Sequence, residues 1–335
     1  MPAAEELITD ALPSAEEPTR RRVAYLLGAG ATQGAIGHAG GETNQLMSGL
    51  ATDLARRLRV LVDTEYASDP SLLRLVNSIV DDQADFEQLI TFFEDAPAAN
   101  LRSFGHSLRQ VFSEVLRVKL LEIHDEIDGR VTELFAALID MHLVDGNPEI
   151  LAGLLSLNYD TFVERAIVEH LGSPVDYGIS ASEPTAASIR LLKLHGSFGW
   201  SDSWPIEFTL DHTGTNWIPP GIRKVKDRYP FNTLWGLARD VLDCDVLRII
   251  GCNLGPNDWD LISLIFGSKF AHRSRPPMEI EVIGSIETAM GIAQRLPYFY
   301  VKSVFELPDV GARMLTELLG READYGSLTT DERQA

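Results

Sequence analysis

Three short segments carry residue types that can do chemistry, and each closes an apolar run. They are V-A-Y-L-L-G-A-G-A-T at 23–32, L-L-S-L-N-Y-D at 154–160 and L-L-K-L-H-G-S at 191–197. In the first, Gly28, Ala29, Gly30, Ala31 and Thr32 make a tight turn whose backbone can come close to a phosphate. A helix starting there would favour the anion by about 0.3–1 kcal/mol. The second offers an amide and a carboxylate, Asn158 and Asp160. The third offers His195, an imidazole able to act as a general base near neutral pH, flanked by Gly196 and Gly199. Each has a plainer reading when taken alone. Asn or Asp before a helix is a common N-cap, a single His is more often structural than catalytic, and a glycine turn can bind nothing. The fingerprint G-x-G-x-x-G fails, because Gln33 stands where the third glycine belongs.

What unites the segments is their place at the ends of strands. In an open parallel α/β sheet, ligands bind in the crevice outside the carboxyl ends of the strands, so three polar strand ends are expected to face one cleft. Apolar runs predict buried strands at 23–28, 151–157, 189–194, 246–250, 279–283 and 299–304. Helical spacing of apolar residues fills 45–62, 71–80, 85–94, 101–124 and 131–143, a helical insertion of about 43–145 after the first strand. Further helices are expected at 161–171, 229–242, 257–266, 286–295 and 309–319. The stretch 204–220, rich in Trp, Pro, Gly and Thr, reads as a hairpin or a lid-like excursion, and the glycine-rich 34–41 as a mobile loop. Flanking segments are a flexible acidic N-terminus, 1–22, and a polar tail, 321–335.

Composition narrows the class. With 335 residues and 45% hydrophobic content the chain can build a substantial core. A formal net charge of -20 repels nucleic acid over most of the surface. Only Cys244 and Cys252 are present, too few for a disulfide framework or a four-cysteine zinc module, and both read as small core residues. No signal-peptide pattern and no apolar stretch of membrane-spanning length is found, so a cytoplasmic protein is expected.

The ordered set G-A-G-A-T, N-Y-D, L-H-G-S and then G-C-N-L at 251–254, with Asp258 nearby, resembles the sirtuin family across about 23–304. The resemblance implies an α/β, Rossmann-like parallel sheet of sirtuin type with a large all-helical insertion, and NAD as the ligand without a metal. It assigns NAD phosphates to Gly28–Thr32 and the nicotinamide ribose to Asn158. It gives the carboxamide to Asp160 and the base to His195 in its His-Gly motif with Gly196. Gly251, Asn253 and Ser285 fall on the adenosine side, although Asn253 replaces the family's usual Ser. The missing zinc module, together with D-F-E (Asp85 to Glu87) and H-G-S-F-G-W, is similar to the bacterial sirtuin-like proteins of anti-phage defence, which cleave NAD. That branch implies an NAD hydrolase releasing ADP-ribose and nicotinamide, a homo-oligomer, and a HerA-type ATPase or an Argonaute as partner. Two alternatives stay open, a deacylase or ADP-ribosyltransferase using the same pocket, and a non-catalytic NAD or ADP-ribose sensor. Asp85 and Glu87 are equally well explained as acids at a helix start.

Overall fold

The computed structural model describes residues 20–38, 50–65, 71, 74, 86–127, 130–180, 183–211, 214–218, 226–255, 257–271 and 278–303. The expectations for 1–19, for most of 71–80 and for 304–335, including the helix at 309–319, lie outside them. Among the described residues seven strands form one sheet: β1 (Arg21–Leu27), β2 (Glu149–Ser156), β3 (Val175–Asp176), β4 (Ile189–Lys193), β5 (Val246–Ile250), β6 (Glu279–Ile283) and β7 (Tyr300–Ser303). Every pairing is parallel, in the order β3-β4-β2-β1-β5-β6-β7. Chain order runs outward from β1 through β2 and β4 on one side and from β5 to β7 on the other. The order therefore reverses between β1 and β5, the switch point at which such sheets open a crevice.

The strands read as continuous apolar runs because both faces of the sheet are covered, and Val23 to Leu27 are all at 0% exposure. Between β1 and β2 the chain forms α1 (Ala29–His38), α2 (Leu50–Glu65), α3 (Phe86–Glu94), α4 (Ala99–Ile127) and α5 (Arg130–Asp140). Leu54, Leu58, Val62, Ile90, Phe93, Phe104 and Leu108 make a satellite core among α2, α3 and the first half of α4. The second half of α4 and all of α5 instead join the main core through Leu116, Leu120, Ile123, Leu134 and Phe135.

Two local expectations are corrected. The glycine-rich 34–41 is not a loop throughout, since α1 runs to His38, while 39–49 lie outside the described residues. Ala31, Ala35 and Ile36 are fully buried, and that apolar face offsets the roughly 1 kcal/mol each helical glycine costs. The helix expected at 161–171 is split into α6 (Phe162–Arg165) and a π-helical turn, Ala166–His170. The remaining helices, α7 (Phe231–Val241), α8 (Trp259–Ala271) and α9 (Ile286–Arg295), fall within a few residues of the expected bounds.

Candidate active site

The glycine turns after β1 and β5 interlock before any ligand is considered. Gly28 N–H donates to the Ile250 carbonyl at 2.9 Å and Gly30 N–H to the Gly251 carbonyl at 2.9 Å. A Cβ on Gly30 would lie 2.7 Å from Gly251 Cα, and one on Gly251 would strike Ala31 N and the Gly30 backbone. Gly251 also has φ +63°, a conformation that glycine adopts without strain. Gly28, Gly30 and Gly251 are thus required first by each other. The Gly30 amide, spent on Gly251, and the Ala31 amide, which donates to the Gly28 carbonyl at 2.9 Å, are no longer free for a phosphate, so this turn offers an anion the positive end of α1 rather than a full set of open amides.

The end of β2 locks onto this turn through Asn158. Its Nδ2 donates to the Gly28 carbonyl and to Thr32 Oγ1, both at 2.9 Å, and Thr32 Oγ1 donates to Asp160 Oδ2 at 2.8 Å. With both N–H directions used, Asn158 is held in one amide orientation, and its Oδ1 has no hydrogen-bond partner among the described residues. The other Asp160 oxygen, Oδ1, accepts from Phe162 N at 3.2 Å, as in an N-terminal helix turn. Asp160 is 4% exposed and spends both oxygens inside the chain. Asp160 thus fixes Thr32 and α6, with a second acceptor direction remaining on each oxygen.

His195 follows the strand next to the one that Asn158 follows. β2 and β4 pair Leu154 with Leu191, Leu155 with Leu192 and Ser156 with Lys193, and Leu194 N–H continues the ladder to the Ser156 carbonyl at 2.9 Å. Asn158 and His195 each lie two residues past the last paired positions, Ser156 and Lys193, so both follow the carboxyl ends of adjacent parallel strands. The excursion at 204–220 folds back here through antiparallel bridges Gly196↔Trp217 and Trp200↔Phe208. Ile218 N–H donates to the His195 carbonyl at 2.7 Å, and Tyr159 hydroxyl donates to the Ile218 carbonyl at 2.9 Å. Gly196, at φ +76°, could not carry a side chain, because a Cβ there would meet Asn216 O and lie 2.7 Å from Trp217 Cα. Tyr159 stands with its ring centroid 6.4 Å from that of His195, and Trp217 and Phe198 pack against Tyr159 at 5.1 and 5.5 Å. His195 thus has the Tyr159 ring, itself backed by Trp217 and Phe198, as an aromatic neighbour and is 8% exposed.

Across the switch point, Asn253 is exposed and its carbonyl accepts from Arg295 at 3.4 Å, while Asp258 Oδ2 accepts from Gly255 N–H at 2.9 Å. Ser285 is the N-cap of α9, its hydroxyl accepting from Thr288 N–H at 3.2 Å. Burial pushes the Cys252 thiol up to about 12, so it stays protonated and unreactive. Among the described residues no group of three or more His, Cys, Asp or Glu side chains could hold a metal ion. Asp85 lies outside the described residues, and for Glu87 only its place in α3 is described.

Three contributors were invisible in the sequence. Lys193 and Glu164, each with a side chain 1% exposed, form an ion pair at 2.9 Å, and Lys193 Nζ also donates to the Asp160 carbonyl. Arg117 of α4 lies over the Phe198 ring, 5.7 Å from its centroid, and donates to the Gly214 carbonyl at 3.3 Å, so the helical insertion touches the His195 loop. Lys193 is hidden inside an apolar run and Glu164 inside a helix. The one available signal was a charged residue in each otherwise apolar pattern.

No family model matches the chain, and no curated protein matches it. A solved structure of a mutant Sir2 homologue in complex with ADP ribose is similar over 92% of this chain and 95% of that one, at 12% identity and a TM-score of 0.42.

Proposed function

We propose that this chain hydrolyses NAD to ADP-ribose and nicotinamide in the crevice at the β1/β5 switch point. The observation that carries the reading is the state of Asn158. It is held by Gly28 and Thr32 with an acceptor, Oδ1, left open at the end of the strand adjacent to the one that His195 follows. A pocket that only binds has no need of a base beside an oriented acceptor.

The residues fit the dinucleotide. The glycine turns let backbone approach a pyrophosphate, the N-terminus of the ten-residue helix α1 favours its charge, and the β5 and β6 ends offer Asn253 and Ser285 to the adenosine half. Cleavage of the nicotinamide–ribose bond resembles glycoside hydrolysis through an oxocarbenium-like state, but the leaving group is cationic and departs neutral. No general acid is needed. Asn158 Oδ1 accepts from a ribose hydroxyl or from the attacking water, His195 takes the proton that water loses, and the oxygen joins C1′ as the C1′–N bond breaks. His195 is nearly buried, with Tyr159, held by Phe198 and Trp217, on one side of it. On the resemblance stated above, the biological reading is NAD depletion in anti-phage defence, by an oligomer or beside a HerA-type ATPase or an Argonaute.

The test is release of nicotinamide from NAD by the purified chain, alone and with ADP-ribose acceptors present. Turnover without an acceptor is expected, with His195→Ala lowering it about 10²- to 10⁴-fold at unchanged fold. Intact NAD under every condition that assembles the protein, or full activity in His195→Ala, would overturn the reading.

A further inference from the structure

We infer that Lys193 and Glu164 are positioning residues for this hydrolysis, a buried clamp that sets the Asn158 turn against the His195 turn; the inference rests on the function proposed above. Lys193 ends β4, two residues before His195, and Glu164 lies in α6, four residues after Asp160. The Lys193 ammonium holds the Asp160 carbonyl and Glu164 Oε1 together. From the other side, Ser197 hydroxyl lies 3.4 Å from Glu164 Oε1 and 3.3 Å from the Tyr159 carbonyl. The two polar turns are thus tied by this charged pair in addition to the Phe198 N–H, which donates to the Tyr159 carbonyl at 2.9 Å, and the pair is the tie that reaches the Asp160 carbonyl.

Stability alone does not account for the pair. Taking two charges out of water costs several kcal/mol per ion, and apolar residues of similar volume are often neutral or better in such a place. Here the pair is also incompletely satisfied, since Glu164 Oε2 is buried without a partner. Burial raises the Glu164 carboxyl against the opposing pull of Lys193. What an apolar replacement could not do is hold the Asp160 carbonyl in the turn that orients Asn158. A displacement of about 1 Å in a reacting constellation can cost on the order of 10²-fold in rate.

The experiment compares Lys193→Met and the double variant Lys193→Met/Glu164→Leu with wild type in three measurements: thermal unfolding, steady-state NAD hydrolysis and amide hydrogen exchange. The double variant should fold with a melting temperature at or above that of wild type. Its kcat should drop about 10- to 100-fold while KM for NAD moves less than about 3-fold. Amides at 157–161 and 194–199 should exchange about ten-fold faster or more, with β1 and β5 unchanged. If Lys193→Met does not fold, the double variant decides. Wild-type kcat in the double variant, or unchanged exchange in both turns, overturns the clamp even where His195→Ala and Asn158→Ala are inactive. If wild type leaves NAD intact, the functional reading falls and the exchange result alone decides the clamp.

Discussion

The molecule buries two polar clusters, one at the carboxyl edge of the sheet and one across its middle, and they are built on opposite logic. In the second, Tyr25, Arg248, Glu281 and Lys302 are successive register partners on β1, β5, β6 and β7. Arg248 donates to Tyr25 hydroxyl at 2.9 Å, Glu281 at 2.8 Å and Glu149 at 3.0 Å, and Lys302 reaches Glu281 at 2.8 Å. This row alternates charge and is made by strand side chains bonding one another. The edge cluster is made by turn residues that mostly bond main chain, and among the described residues two acceptors are left open there, Glu164 Oε2 in the interior and Asn158 Oδ1 toward the crevice. Burial of polar groups is common to both, so burial does not mark the site. Spare capacity alone does not mark it either, since His142 Nδ1 beside the row is also buried without a partner among the described residues; the mark is an oriented acceptor at the crevice.

The contrast breaks most sharply at Arg248. Its removal by Arg248→Met takes away the Glu149 ion pair and leaves Glu281 with Lys302 alone, and a lost partner in a buried pair costs about 3–5 kcal/mol. Denaturant unfolding should register that loss, while nicotinamide release per folded molecule stays at the wild-type level. A variant of full stability, or one whose folded fraction has lost activity, would show that the row and the site are one unit.

A smaller effect separates the clusters by pH. Tyr25 hydroxyl lies 2.7 Å from His142 Nε2, and burial, with Arg248 and Arg20 beside it, pushes His142 down to about 4. The unfolded chain therefore binds a proton on this side chain between about pH 6.5 and 4 that the folded chain does not. Its contribution is fully present above pH 6.5 and is lost as pH falls toward 4, an upper bound of about 3 kcal/mol at about 1.4 kcal/mol per unit. Glu281 adds to acid loss at lower pH. Burial pushes its carboxyl up, but Arg248 and Lys302 hold it below the usual range, and protonating it forfeits their attraction. Unfolding curves from pH 4 to 7 should flatten in His142→Gln relative to wild type. Equal slopes in both proteins would place the proton elsewhere.

How much of this was legible in the sequence follows from the same contrast. Strands buried on both faces announce themselves as apolar runs, and β5 and β6 fall on 246–250 and 279–283 as expected. That Asn158 and His195 would each follow a buried parallel strand was also legible, because both close apolar runs, and β2 and β4 prove to be neighbours. The row was not, since Arg248 and Glu281 interrupt apolar runs and their pairing depends on a strand order that spacing does not encode. Likewise the interlocked Gly30 and Gly251 looked like ligand contacts, because a glycine kept for close approach reads the same whether the neighbour is a phosphate or another strand's backbone. The π-helical turn at Ala166–His170 has no compositional mark at all.

Ser285 gives the smallest expected effect and the finest cut between the two kinds of polar group. Its hydroxyl oxygen caps α9 by accepting from Thr288 N–H, yet it lies one residue past Gly284 at the end of β6, on the crevice edge. Ser285→Ala should cost about 1 kcal/mol, the usual worth of a cap, read as a shift in the denaturation midpoint. Ser285→Asp keeps a capping oxygen and so should keep stability, but it sets a carboxylate where the adenosine half of NAD is proposed to lie. If the hydroxyl also donates to a ribose, both variants raise KM for NAD by a few-fold, with Asp worse than Ala despite its better fold. If KM follows stability instead, with Ala impaired and Asp restored, Ser285 belongs with the structural groups, and the adenosine contact passes to Asn253 alone.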